Sequence, residues 1–158
     1  MQEGRFSDGE ALARQSAMVF DKTNATSNSA WAHAVLARNL LSAGKLAEAQ
    51  SAATQAITLS RQAAGETPRF EAILADSRVQ AKSGKTAEAR RQLESMLSST
   101  HKFGYRLYEL HARLALAEIE SWSGFPGARF HLAALEADAR AQGALLVANQ
   151  ARALQQTK

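Results

Sequence analysis

Four histidines and two neighbouring carboxylates are the side chains of this sequence that could carry catalysis or bind a metal. No two histidines have the i, i+4 spacing with which one helix presents a pair of imidazoles to a metal ion. They are His33, His101, His111 and His131. Glu118 and Glu120 are two residues apart, so on a helix they point in different directions and form no carboxylate pair. The chain has no cysteine, which removes thiolate nucleophiles and most zinc sites.

Motifs for nucleophilic or phosphate chemistry are also missing from the sequence. No serine lies in a Gly-x-Ser-x-Gly or Ser-x-x-Lys context. The Gly-Lys pairs at 44–45 and 84–85 lack the upstream glycine of a phosphate-binding loop. We therefore expect the protein not to be an enzyme and to need no cofactor and no metal. The histidines are then ordinary surface or partly packed residues.

The charge is mildly basic, at +4 over 158 residues, with a pI of about 9.8. Such a balance can favour nucleic acid, but the basic residues are spread along the chain. The one adjacent pair, Arg90-Arg91, has Glu88 and Glu94 as neighbours. A nucleic-acid partner is therefore not expected. No apolar run approaches the roughly 18 residues of a membrane span, so no membrane association is expected either.

Two series of glycines divide the chain at a regular spacing. Gly44, Gly84 and Gly124 are forty residues apart, and Gly4 precedes Gly44 by the same distance. A second series at a spacing of thirty-nine consists of Gly65, Gly104 and Gly143. Two turns per period predict two helices per repeat, because glycine favours helix C-termini. The expected helices lie at about 8–20, 28–43, 46–63, 68–83, 86–100, 105–123, 126–141 and 144–156.

The helix after each glycine of the first series repeats its apolar positions. Spacings of four and three residues place each set on one helix face, with a small residue nearest the turn. The three sets are Ala49, Ala53 and Ala56, then Ala89, Leu93 and Met96, then Ala128, Leu132 and Leu135. The small residue allows the second helix of a pair to approach the first closely.

This pattern resembles the tetratricopeptide repeat, with Leu36-Ala37 before the turn glycine and Ala49 and Ala56 after it. The resemblance implies an all-α fold: a right-handed α-solenoid of about eight helices in antiparallel pairs. The chain 1–158 then forms one domain, with a half repeat at 1–27, a terminal capping helix at 144–156, and repeats at 28–66, 67–104 and 105–143. HEAT and armadillo repeats are the alternative, since the period is near forty rather than thirty-four.

One column departs from the family pattern. Four residues before each turn glycine the family usually has a large aromatic residue, but here the positions hold Leu40, Gln80 and Glu120. Helix 68–83 is the least regular for the same reason, since it also places Asp76 and Ser77 on the face expected to pack.

The resemblance also implies a binding surface on the concave side, formed by the first helix of each pair. Its residues would be Trp31, Arg38, Leu74, Arg78, Lys82, His111, Leu114, Glu118 and Trp122. Arg38 and Arg78 occupy one column on adjacent repeats, where two guanidinium groups could bind a carboxylate. Each arginine could equally pair with a nearby glutamate or be solvated.

We therefore expect a non-catalytic module that binds a protein or a peptide, with acidic groups in the partner. Its C-terminal segment resembles the tetratricopeptide tails of bacterial signalling and regulatory proteins, which suggests a cytoplasmic location. Gly4 at a turn would make the chain a fragment of a longer protein, so a periplasmic location stays open. The helix at 8–20 would then lack a neighbour and expose Leu12, Met18, Val19 and Phe20, a surface for self-association.

Two alternatives to peptide binding remain. The chain could be a structural or self-association arm with no ligand in the groove. It could also be a basic solenoid that binds nucleic acid.

Overall fold

A computed structural model describes residues 3–156 of the backbone and residues 8–156 with their side chains. The described residues form eight α-helices and no strand, as the sequence predicts. The helices are α1 (Glu3–Lys22), α2 (Thr26–Ser42), α3 (Leu46–Ser60), α4 (Thr67–Lys82), α5 (Thr86–Phe103), α6 (Arg106–Trp122), α7 (Ala128–Ala141) and α8 (Leu145–Gln156). No helix in this part of the chain has the length and apolarity needed to cross a membrane.

The first helix differs from its prediction. The structure describes it over Glu3–Lys22, so Gly4 lies within a helix and not between two helices. The period of forty therefore does not mark a turn at Gly4, and the inference of a missing first helix loses that support.

One type of turn ends six of the helices, namely α1, α2, α4, α5, α6 and α7. At the end of α4 the N–H of Gly84 donates to the carbonyl of Ala81 at 3.1 Å, and the N–H of Lys85 donates to the carbonyl of Gln80 at 2.9 Å. This is the Schellman arrangement, in which the residue after the helix cap has a left-handed conformation. Gly84 accordingly has φ = 85°. α3 instead ends in a longer connection, and the N–H of Ala64 donates there to Ser27 Oγ at 3.1 Å.

The turn between α1 and α2 has the same geometry without a glycine. Asn24 has φ = 52°, and the N–H of Ala25 donates to the carbonyl of Phe20 at 3.1 Å. Asparagine is among the few residues besides glycine that adopt this conformation readily. Asn24 therefore fills the place that glycine has in the later turns, forty-one residues before Gly65, and the glycine spacing does not predict it.

The chain divides into two compact units, one ending at Ala89 and one beginning at Arg90. In the first unit α1 packs on α2, α2 packs on α3 and α4, and α3 packs on α4. The core is rich in alanine: Ala34, Ala37, Ala49, Ala52, Ala53, Ala56, Ala72 and Ala75 are all buried there. Leu36, Leu40 and Val79 supply its larger side chains.

In the second unit α6 packs on α7 and α8, and α7 packs on α8. Its core contains larger residues, namely Leu110, Leu114, Leu132, Leu135 and Val147, with alanines between them. All nine positions of the three repeated sets are buried, at 4% exposure or less. The predicted packing face of the second helices is therefore confirmed.

The turns give a direct stability test. Replacing Gly84 by Ala should destabilise the protein by about 1–2 kcal/mol, since an L-residue is strained in the left-handed conformation. A Cβ at Gly84 would meet no atom within 4 Å, so no clash contributes. Asn24→Gly is the matched control and should cost nothing. Urea unfolding of both variants measures the difference; an unchanged midpoint for Gly84→Ala would contradict the turn geometry.

Candidate functional site

In the first unit, the predicted binding residues lie on α2 and α4, which pack on each other. Trp31 is 53% exposed, and Arg38 follows it two helical turns later on the same stripe. Arg38 Nη1 lies 3.5 Å from Glu71 Oε2 of α4, and the Arg38 side chain remains 42% exposed. We call this region, formed by Trp31, Arg38, Glu71, Arg78 and Lys82, the α2–α4 surface.

The predicted binding residues on α4 do not all face an open groove. Arg78 Nη1 donates to the carbonyl of Leu74 on its own helix at 2.9 Å. Leu74 is only 2% exposed, so it offers no surface to a ligand. Lys82 is exposed at the last turn of α4.

The remaining predicted residues lie on α6, in the second unit. Leu114 is buried at 4% exposure, whereas Trp122 is 37% exposed. His111 and Glu118 are half-buried, and the ring centroid of His111 lies 6.3 Å from that of Tyr108. Leu114 belongs to the core of the second unit and, like Leu74, it offers no surface to a ligand.

A buried carboxylate in the second unit was not predicted as a site. Glu120 is 5% exposed. Its Oε2 lies 2.7 Å from His131 Nδ1, and its Oε1 lies 3.7 Å from Arg90 Nη2. The three side chains line a half-open cleft of about 230 Å³, to which Glu94 and Arg113 also contribute. The signal was present in the sequence, as a charged residue in a column that holds Leu40 in the first repeat.

A second polar cluster connects α1 to the rest of the first unit. Glu10 accepts hydrogen bonds from Lys45 Nζ at 2.9 Å and from Arg14 Nε at 3.0 Å, and Arg14 also pairs with Glu48. The hydrogen bond from Lys45, followed by that from Arg14, lowers the pKa of Glu10. These contacts fix the middle of α1 against the start of α3.

The C-terminal end of α1 is held by Asp21. This carboxylate accepts a hydrogen bond from Ser29 Oγ and lies 3.0 Å from His33 Nε2. Partial burial acts to raise the pKa of Asp21, but the hydrogen bonds from Ser29 and His33 outweigh it and leave the pKa lowered. His33 also borders a cleft of about 400 Å³ between α1, α2 and α3.

The basic residues are mostly engaged with acids. Carboxylates lie within 4 Å of Arg14, Arg38, Lys45, Arg69, Arg90, Arg106, Arg113, Arg140 and Arg152. A phosphate backbone is bound by cations that are available to it, so this interleaving of charges disfavours a nucleic-acid surface. Over the described residues, no group of three or more His, Asp and Glu side chains is placed to hold a metal ion.

Comparisons with known proteins do not add a relative. The chain matches no family model, no curated protein and no solved structure at a significant level. The tetratricopeptide resemblance therefore rests on the sequence pattern alone.

The Glu120 cluster gives a stability prediction. Glu120→Leu should not destabilise the protein, because a leucine fits the same column at Leu40, and replacing a buried ion pair by an apolar side chain is often neutral or stabilising. His131→Ala should cost about 1–3 kcal/mol, since it removes a partner from a buried carboxylate. The loss should disappear when both changes are combined. Thermal unfolding of the three variants tests this; an equal loss in the double variant would contradict it.

The lowered pKa values of Glu10 and Asp21 predict that acid loosens α1 first. A carboxyl group whose pKa is lowered by folding stabilises the fold fully above its ordinary pKa, about 4, and loses this effect as the pH falls through the folded value. The protection of backbone amides against exchange, corrected for the intrinsic exchange rate, should therefore fall in α1 before α3 as the pH falls below about 4. Glu10→Gln at neutral pH should produce the same order, and uniform exchange in that variant would refute the assignment.

Proposed function

We propose that the protein is a non-catalytic interaction module whose α2–α4 surface binds an extended peptide with an acidic group. The observation that carries the proposal is that an exposed tryptophan and a partly exposed arginine lie on the same stripe of α2. Trp31 is 53% exposed, and Arg38 Nη1 comes no closer than 3.5 Å to Glu71 Oε2. This distance is longer than that of a good charge-assisted hydrogen bond, and a guanidinium has five N–H donors.

The chemistry of the surface fits such a ligand. A tryptophan supplies contact area at the centre of many interfaces, and an arginine binds a carboxylate with two parallel hydrogen bonds. The Arg38 side chain is 42% exposed, so a ligand can reach it. An acidic peptide would therefore be favoured by charge and oriented by Arg38.

A tetratricopeptide-like, right-handed solenoid is part of the same proposal. It is supported by the repeat of about forty residues and by the packing of α2 on both α3 and α4. Such folds bind peptides along the first helices of their pairs. A role in a bacterial signalling or regulatory protein, in the cytoplasm, rests on the resemblance of the C-terminal segment.

The experiment begins with selection of random peptides on the full chain, followed by calorimetry on the selected sequences. We expect Asp and Glu to be enriched among them. Arg38→Glu should weaken binding about ten- to a hundredfold, as expected for a lost charge-assisted contact of roughly 1.5–3 kcal/mol. Trp31→Ala should weaken binding as well. Arg61→Glu, the same charge change at an exposed residue of the first unit, is the control.

Glu71 supplies a test in the opposite direction. Because its carboxylate competes with the ligand for Arg38, Glu71→Gln should tighten the binding of an acidic peptide. If Arg38→Glu and Glu71→Gln both leave the affinity unchanged in folded protein, the binding surface lies elsewhere. The structural-arm alternative would then be favoured.

A further inference from the structure

The face of α1 that points away from α2 is apolar and exposed. α1 packs on α2 through Ala13 and Ala17, which are buried at 5% and 3% exposure. On the opposite side Leu12, Met18 and Val19 are 64%, 57% and 50% exposed. These three confirm the exposed apolar residues predicted for this helix, whereas Phe20 is half-buried. Three large exposed apolar side chains on two turns of one helix indicate an interaction surface.

The order of residues on this face is symmetric about Gln15. Leu12 and Met18 lie three residues to either side of Gln15, and Ala11 and Val19 lie four residues to either side. Spacings of three, four and seven keep a set of residues on one stripe of a helix. We call the stripe of Asp8, Ala11, Leu12, Gln15, Met18, Val19 and Lys22 the α1 stripe.

The symmetry extends to charge. Asp8 lies seven residues before Gln15 and Lys22 seven residues after it, and both are exposed. Neither forms an ion pair with any residue between 8 and 156. The stripe therefore has an acid at one end, a base at the other and apolar residues between them.

We propose that the α1 stripe binds a second copy of this chain, with the two α1 helices antiparallel and related by a twofold axis at Gln15. In that arrangement residue i faces residue 30 − i of the other copy, so Leu12 meets Met18, and Ala11 meets Val19. Each Asp8 meets a Lys22 of the second copy, which forms two ion pairs. A twofold interface requires a self-complementary patch, and the α1 stripe is one in both size and charge.

A second copy fits the stripe better than other occupants. A parallel arrangement would bring Asp8 to Asp8 and Lys22 to Lys22, which repel. A head-to-tail contact with the exposed Leu145 and Leu146 of α8 would be heterologous and would not use the symmetry of the stripe. The interface is limited to one helix of each copy, so we expect a dissociation constant on the order of 10–100 μM.

The deciding experiment exchanges the charges and measures mass by sedimentation equilibrium over a wide concentration range. Asp8→Lys and Lys22→Asp should each weaken the dimer about tenfold, because each creates two like-charge contacts. The double variant, which has the net charge of the parent, should restore the parent affinity. Lys85→Asp is the control for Lys22→Asp, since Lys85 is also exposed but lies in another turn.

A second pair of variants tests the apolar contact. Leu12→Gln should weaken the dimer at least tenfold, whereas Leu146→Gln, at a leucine that is 68% exposed, should not. Both sites are exposed, so circular dichroism should be unchanged. The proposal is overturned by a monomer at millimolar concentration, by a mass that climbs beyond the dimer, or by a double charge exchange that does not restore affinity.

Discussion

Most of the helix pairs depend on one residue in a left-handed conformation. At each Schellman turn this residue reverses the chain within three residues, and the second helix then begins at once. The residue four positions before the left-handed residue has two roles. Its carbonyl accepts the closing hydrogen bond. In four of the six turns its side chain is also buried, and these residues are Leu40, Thr100, Glu120 and Ala139. The turn therefore fixes the direction of the next helix and, at these four turns, which position is buried; Phe20 and Gln80 at the other two turns are half-buried. A change of the turn conformation would therefore disturb the packing of both helices that the turn joins.

Given these turns, the size of the core residues sets how closely the helices pack. In the first unit the second helix of the pair presents Ala49, Ala53 and Ala56, and the packed face contains little side-chain volume. Alanine loses no side-chain entropy on burial, but it also contributes less apolar area than leucine. The second unit has Leu132 and Leu135 at the corresponding places. At the edge of the first unit, polar contacts of Glu10 and Asp21 hold α1.

The sequence was sufficient for the helices because their signals are local. Glycine at helix ends and apolar spacings of three and four depend on neighbours within the same turn, and they predicted eight helices and nine buried positions. The prediction of a turn at Gly4 was wrong because glycine also occurs within helices, and its presence alone does not distinguish a turn from a helix. Asn24 was missed for the opposite reason, since another residue fills the left-handed position. The engagement of Arg38 with Glu71 and the burial of Leu74 depend on contacts between helices, which column numbering does not contain.

The α2–α4 surface and the α1 stripe use charge differently. On the α2–α4 surface Arg38 is already in contact with Glu71, so an acidic ligand would have to exchange one ion pair for another. Such an exchange gains little affinity but discriminates well, because a ligand without a carboxylate leaves the arginine with Glu71. The α1 stripe instead separates its opposite charges by fourteen residues, with an apolar stretch between them. There the apolar contact supplies the affinity and the charges select the direction of the partner helix, since only the antiparallel orientation places opposite charges together.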